Sequence, residues 1–423
     1  MYKEASAVNL SRFQKGKLAG FLALSVFLLG AAGGALVWAF LKILGMGMGF
    51  FWETLPQHLG AGSWYIPFLC LTGGLAIGLF QQKFGILPDT MAEVIAKVKR
   101  DGTYDYHRLP VIFTAVLLPL FAGGSLGPEA GLTGIITSLC FAVRDRICQI
   151  VFQVRALVQL GSQPGLAVFF APSSPAGPPA GTPPPIFPDP KQQHRVKVLI
   201  YMAGVLGGVL ALLLLHSAAR PGHGLPQLMW RRWAGLAEWK WMPLFAVGGI
   251  LLGKLYQLFA KGANTLAHPL ARNRVLSCLT AGAFVSLLGL WNLDNLFSGG
   301  GRLLPLTAAW QQLPVTLLFL TAVTKLLTTA LCLAFGWKGG SIFPIVYSAV
   351  SLGYGLAAVT GAGALFAATA TTAAACGYLS RRPLLSAAIM LLCFPIRTLV
   401  PMLTAAAAGA WVGRRQCRVK RAE

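Results

Sequence analysis

The chain has 423 residues, of which 56% are hydrophobic and only 11% charged, and its mean hydropathy is +0.66. A soluble domain carries about 25% charged residues, so composition excludes an ordinary water-soluble protein. The formal charge of +23 comes from 35 Lys and Arg against 12 Asp and Glu. Those basic residues sit mostly in loops and tails between apolar segments, which points to membrane topology and away from nucleic acid; part of the excess can also attract anions.

The apolar segments, in order, are Lys17–Met46, Trp64–Phe80, Leu109–Phe121, Val196–His216, Trp241–Phe259, Val275–Leu290 and Leu313–Phe335. Each approaches or exceeds the ~20 residues that cross a bilayer as a helix. The first is too long for a signal-peptide core and reads as a retained helix. Both ends of the chain, "MYKEASAVNLSRFQKGK" and "GRRQCRVKRAE", are basic. The positive-inside rule therefore predicts a multi-pass protein of the cell (inner) membrane with both termini cytoplasmic. The fold class expected is an all-α integral membrane protein. Its 49 glycines and 26 prolines exceed what simple spanning helices need, so broken helices are expected where backbone lines a buried or wet cavity. The eight cysteines form no CxxC pair and read as small buried hydrophobes. No metal and no cofactor is expected.

Between the spans the chain is punctuated. In "KFGILPDTMAEVIAKVKRDG", Pro88 and Asp89 mark a helix start, and Lys97–Lys99 with Gly102 mark its end. That helix is too short and too polar to span. The chain re-enters at Leu109, breaks at Gly123–Gly124 and starts a new helix at Pro128. Residues 161–195 are proline-rich, and no helix runs through the prolines. They divide a first transmembrane half, 1–160, from the remaining helices of 196–423, as a linker or a degenerate helix region. Small-residue runs at Ala367–Ala375 and Ala405–Ala408 allow close helix packing.

One short pattern occurs twice. "GGSLGP", Gly123–Pro128, returns as "GGSIFP", Gly339–Pro344, about half the chain later. Glycine lets backbone turn and lets a ligand approach closely. Proline at the first helical position gives up an N–H that has no partner. The other N–H groups of that first turn are orphans carrying the positive end of the helix dipole, a ready site for an anion. Ser125 and Ser341 can each cap a helix or add a hydroxyl to an ion's shell. One reading is helix punctuation in a glycine-rich chain. The other is an inverted repeat whose two half-helices point at one ion near the midplane, where partial charges bind weakly enough for the ion to leave. Glu129, directly after the first copy, is the one carboxylate embedded in a plausible membrane segment. It either complements the helix dipole or acts as a gate or proton relay. Lys325, inside "LTAVTKLLTTALCLAF", can snorkel, pair with an acid or attract anions, and an inward position as a pore-lining charge is favoured.

These residues resemble the chloride channel (CLC) family of anion channels and anion/proton exchangers. "KLLTTALCLAFGWKGGSIFPIVYSAVSLGYG", Lys325–Gly355, is similar to the family's helix–loop–helix with the G-x-F-x-P signature, and "AGGSLGPEAGLTG" to the stretch around G-[KR]-E-G-P. "KFGILPDTMAEVI" sits where the family has G-S-G-I-P. "AAACGYLSRRPLLSAAIML" and "PMLTAAAAGAWVG" resemble the late helices. The resemblance implies inverted halves, a homodimer with a pore in each subunit, and a small anion such as chloride held by helix starts. The anion-binding candidates are then Gly124, Ser125, Leu126, Gly127, Gly340, Ser341, Ile342, Phe343 and Gly85. The departures are specific. The family's gating glutamate falls at Leu126, its first-signature serine at Gly85, the phenylalanine of G-x-F-x-P at Ile342, and the final helix shows no tyrosine to contact the ion. The proline-rich stretch falls where the family has a dimer-interface helix, and no cystathionine-synthase-type domain follows Glu423. Channel-type conduction of a small inorganic anion is the expected function, with anion/proton exchange through Glu129 as the alternative. A non-transporting scaffold and an intramembrane enzyme are the rivals. "GGSLG" does spell GxSxG, but a serine nucleophile needs a histidine base and the six histidines offer no good candidate. The protein is not expected to be an enzyme.

Overall fold

The computed structural model describes residues 12–86, 88–89, 91–101, 108–138, 141, 190–218, 236–391 and 393–422. Regular structure among them is helical. The main helices are α1 (Arg12–Gly49), α2 (Tyr65–Phe84), α3 (Met91–Asp101), α4 (Leu109–Phe121), α5 (129–138), α6 (Pro190–Ala218), α7 (Met242–Ala267) and α8 (Arg274–Trp291). They continue as α9 (Val315–Ala334), α10 (Ile342–Thr360), α11 (Ala364–Ser380), α12 (Pro383–Met390) and α13 (Leu399–Ala422). Among the described residues, seven helical stretches are long and apolar enough to cross a membrane. The expected proline-rich segment lies outside the described residues up to 189; its last residues open α6, with Pro190 as the first.

The described residues divide into two compact units. One draws on Met1–Ile43, Ala92–Pro110 and Leu132–Gly222, the other on Leu44–Met91, Val111–Gly131 and His223–Glu423. In the first, α1 and α6 approach backbone to backbone. A Cβ on Gly30 or Gly34 would overlap the carbonyls of Gly204 or Gly208, the small-residue crossing that membrane helices use. On α6, Met202, Val205, Leu206, Leu213 and Leu214 are exposed. In water such a face would be an aggregation surface; in a bilayer it is the lipid face.

The second unit holds the larger core. α2 lies along α8, α10 along α11, and α11 along both α7 and α13. The small-residue runs do what their size permits. Gly377 meets the backbone of Ala406, and Gly409 meets the carbonyl of Ala374. Tyr347, Val350, Tyr354, Phe366 and Met402 fill the centre among buried alanines. The helix starts are locally encoded. The Asn273 side chain caps α8 by accepting from Leu276 N at 3.2 Å, and α7 and α12 carry proline in their first two positions.

Candidate functional site

Two loops of the second unit carry the repeated pattern. The first follows α4. Gly123 adopts φ +83°, a conformation that costs a side-chain-bearing residue about 1–2 kcal/mol. Gly124 N donates to Pro119 O at 2.9 Å, so the chain turns sharply out of the helix. Trp52 closes this corner: its Nε1 donates to Phe121 O at 2.9 Å, and its ring fills the space where a Gly123 Cβ would stand. The second loop follows α9. Gln81 Nε2 donates to Gly336 O at 2.6 Å, and Ser277 Oγ donates to Phe335 O at 3.0 Å. Trp337 is fully buried and donates from Nε1 to Cys278 O at 2.8 Å. Helices α2 and α8 therefore hold the loop that launches α10.

The two loops are bonded to each other. Gly127 N donates to Gly340 O at 2.7 Å, and Gly340 N donates to Gly127 O at 2.8 Å, an isolated antiparallel bridge. One residue past Pro128, the Glu129 side chain crosses this bridge. Its Oε1 accepts from Ile342 N, the first residue of α10, at 2.6 Å. The Phe343 amide and the Glu129 amide itself also lie close to the carboxylate. The starts of α5 and α10 thus converge on a single negative group. A Cβ on Gly127 or Gly340 would overlap the Glu129 carboxyl and push it off the bridge.

The other sequence candidates take different parts. Ser341 sits at the N-cap of α10 without capping it. Its hydroxyl lies close to the phenol of Tyr256 of α7, which is within electrostatic reach of Glu129 and packs against the cluster containing Ile345. Ser125 is fully buried, and its hydroxyl is 2.9 Å from Thr329 Oγ1 of α9. Leu126 is 0% exposed, and its side chain lies where a Cβ on Gly339 would stand. Gly85 stops α2 at φ +87° and spends its amide on Gln81 O at 3.0 Å.

Lys325 faces inward and is 0% exposed. Its Nζ donates to the carbonyls of Asp294, Leu296 and Phe297 at 2.7, 2.5 and 2.8 Å, and it lies 5.3 Å from the centre of the Tyr347 ring. Three N–H groups meet three carbonyls, so none is left for an ion. The clamped loop reaches the first motif, because Phe297 N donates to Gly123 O at 3.0 Å. Phe297 has φ +65°, and its ring meets Trp52 edge to face at 4.8 Å. Lys325 is thus a buried clamp that positions the Gly123 corner.

Fold and site together define a multi-pass membrane protein in which two interrupted helices aim their positive ends at one buried carboxylate. A family model described as voltage gated chloride channel matches residues 190–414, more than half of the chain, and the chain belongs to that chloride channel (CLC) family. Proteins named for ion transport, YfeO, are 26% identical in Escherichia fergusonii and 27% identical in Shigella boydii over 350 residues, 78% of this chain and 78% of each relative. The fold is similar to that of a CLC-type fluoride/proton antiporter (TM-score 0.66, 16% identity, 96% of this chain and 98% of that one). It is also similar to that of a slow cyanobacterial Cl−/H+ antiporter (TM-score 0.68, 17% identity, 93% and 94%).

Proposed function

We propose that this protein carries small inorganic anions, chloride or a similar ion, through the junction of α5 and α10, and that the Glu129 carboxylate occupies the anion's own position. The observation that carries this is the 2.6 Å hydrogen bond from Ile342 N to Glu129 Oε1. A helix start binds an anion through free amides and dipole; here a tethered anion holds them. The ion binds only when the carboxylate leaves, and a carboxyl that alternates between tethered and released states can pick up a proton while released. Of the two modes of transport, exchange against protons is therefore favoured by Glu129, and passive conduction by Leu126, which cannot ionise. The likeness to a fluoride/proton and a Cl−/H+ antiporter supports the first. A homodimer with one pathway per subunit, in a cell inner membrane with both termini cytoplasmic, belongs to the same proposal.

The test is flux from proteoliposomes with a panel of chloride, fluoride and nitrate. Expected is anion efflux accompanied by proton uptake in a fixed ratio. Efflux without proton movement would replace exchange by conduction, and silence for every anion would end the transport reading.

Tyr256 is a member of this site that the sequence did not disclose. With the carboxylate withdrawn, its hydroxyl and that of Ser341 face the vacated position. Tyr256→Phe keeps the ring on the Ile345 cluster and removes one donor to a charged ligand, an interaction of about 1.5–3 kcal/mol. The anion concentration for half-maximal flux should rise by about ten-fold or more. An unchanged concentration dependence would remove Tyr256 from the site.

A further inference from the structure

Gln81 lies in the last turn of α2 and is 4% exposed. A buried amide is costly unless both its ends are bonded, and here both are. Nε2 donates to Gly336 O at 2.6 Å, and Oε1 accepts from Cys278 Sγ of α8 at 3.8 Å. The main-chain oxygen of Gln81 accepts twice more, from Gly85 N at 3.0 Å and from Arg274 Nη1 at 2.9 Å. One residue therefore joins the Gly85 turn, the start of α8 and the loop that launches α10. The platform beneath it is tightly packed. A Cβ on Gly74 or Gly78 would run into the α8 backbone at Cys278 or Val275, the close approach that small residues permit. The corner that Gln81 holds is Gly336, at φ +96°, a conformation glycine enters as readily as its alternatives. Trp337 and Phe335, on either side, are bonded to α8; Gln81 supplies the link from α2, the helix that ends at Gly85.

We propose that Gln81 is a positioning residue for anion selection: it holds the Gly85 turn and the launch of α10 at a fixed separation, and an ion passing between them is chosen by its size. The inference rests on the anion pathway proposed above, with Gly85 on one side of it. A Cβ on Gly85 would meet nothing within 4 Å, so the turn borders open space. On the other side, Gly336 stands four residues before Gly340, which pairs with Gly127 under the Glu129 carboxyl. With the Gly336 carbonyl fixed by Gln81, Gly340 and the amide of Ile342 keep their aim relative to α2. A gap of set width favours one ion radius, and a gap that adapts favours none. Gln81 does this without touching the ion, since both ends of its amide are spent on protein.

The experiment uses the full-length protein, with half-saturating concentrations of chloride, fluoride and nitrate measured in proteoliposomes and thermal unfolding in detergent. Silence of the wild type for every anion ends the transport reading and this inference with it; the remaining outcomes bear on Gln81 alone. Gln81→Met keeps the length of the side chain and deletes the donor to Gly336. The spread of half-saturating concentrations among the three anions should narrow by about five-fold, the equivalent of one buried hydrogen bond. If that variant does not fold, Gln81→Asn, an amide one methylene too short to reach Gly336 O, takes its place with the same expectation. Ser351→Ala deletes another buried bond, Ser351 Oγ to Leu318 O at 2.9 Å, away from both loops. It should lower the melting temperature comparably and leave the spread as in wild type. Gln81→Glu, compared with wild type at the same acid pH, regains an O–H donor and should restore most of the spread. The inference is overturned if Gln81→Met melts early with a wild-type spread, if Ser351→Ala narrows the spread equally, or if Gln81→Glu narrows it as much as Gln81→Met.

Discussion

Glu129→Gln should leave anion flux intact but separate it from protons, and it should lower the half-saturating anion concentration by about 10- to 100-fold. Glutamine has the shape of the carboxylate, so the Gly127–Gly340 bridge and the launch of α10 survive the change. What disappears is the charge that holds the first-turn amides. A carboxylate accepts from Ile342 N at 2.6 Å, with two further amides close by. Charge-assisted bonds of that kind are roughly twice as strong as neutral ones. Their loss weakens the tether by about 1.5–3 kcal/mol, and each 1.4 kcal/mol is ten-fold in the competing anion's favour. The amide of glutamine also turns an N–H toward donors on at least one side, which loosens it further. Lowering the pH neutralises the wild-type carboxyl as the substitution does, so wild-type flux should rise toward acid while the variant stays flat. Measured with matched pH and anion gradients, retained proton coupling in the variant would show that the proton travels by another group. A collapse of all flux at normal folding would show that the carboxylate is needed for conduction itself.

The parts of this site that were legible are those with a local signature. The duplicated Gly-Gly-Ser and proline announced two helix starts, because turning a chain out of one membrane helix and into another needs glycine and then proline at short range. Glu129 stood out because a carboxylate in an apolar stretch is costly. The spans were legible from length and hydrophobicity, and α2, α4, α8 and α9 lie within a few residues of the segments read for them. What could not be read is which amide the carboxylate chooses. Leu126 takes the position the family pattern gives to the gate, yet it packs on Gly339, while a side chain three residues later crosses to a helix 213 positions away. Glu129 lies nearly one turn beyond Leu126, and the close glycine bridge lets it reach. Tyr256 was hidden for a simpler reason: one aromatic residue in an apolar helix has no pattern that separates a pore ligand from core packing. A signal does exist for the clamp. The run "NLDNLFSGGGR", Asn292–Arg302, is too polar and glycine-rich for its surroundings, and such a segment needs a buried donor.

That clamp carries the largest expected effect on stability. Lys325→Met keeps the length and apolar stem of the side chain and deletes only the ammonium. The carbonyls of Asp294, Leu296 and Phe297 then lose a shared, fully buried donor. Stranding a buried acceptor costs about 1–3 kcal/mol, partly offset because the lysine itself no longer has to be desolvated. A net loss of about 3–5 kcal/mol is expected, a large share of the roughly 5–15 kcal/mol that keeps a typical fold together. The loop is also poorly placed to absorb it. Phe297 holds φ +65°, a conformation sustained by its neighbours, and its amide is the bond to Gly123. The variant should therefore express poorly or unfold at a temperature lower by about 3–6 °C. Lys325→Arg should rescue it only in part, since a planar fork cannot aim three N–H groups at carbonyls converging on one point. Thermal unfolding in detergent separates the two roles the position could play. If Lys325→Met melts with the wild type and instead changes anion selectivity, the lysine faces the ion and the clamp is wrong. If it unfolds early while the surviving protein keeps wild-type selectivity, the positive charge at this depth serves the backbone, and the anion pathway relies on the partial charges of helix starts, which bind an ion loosely enough to release it.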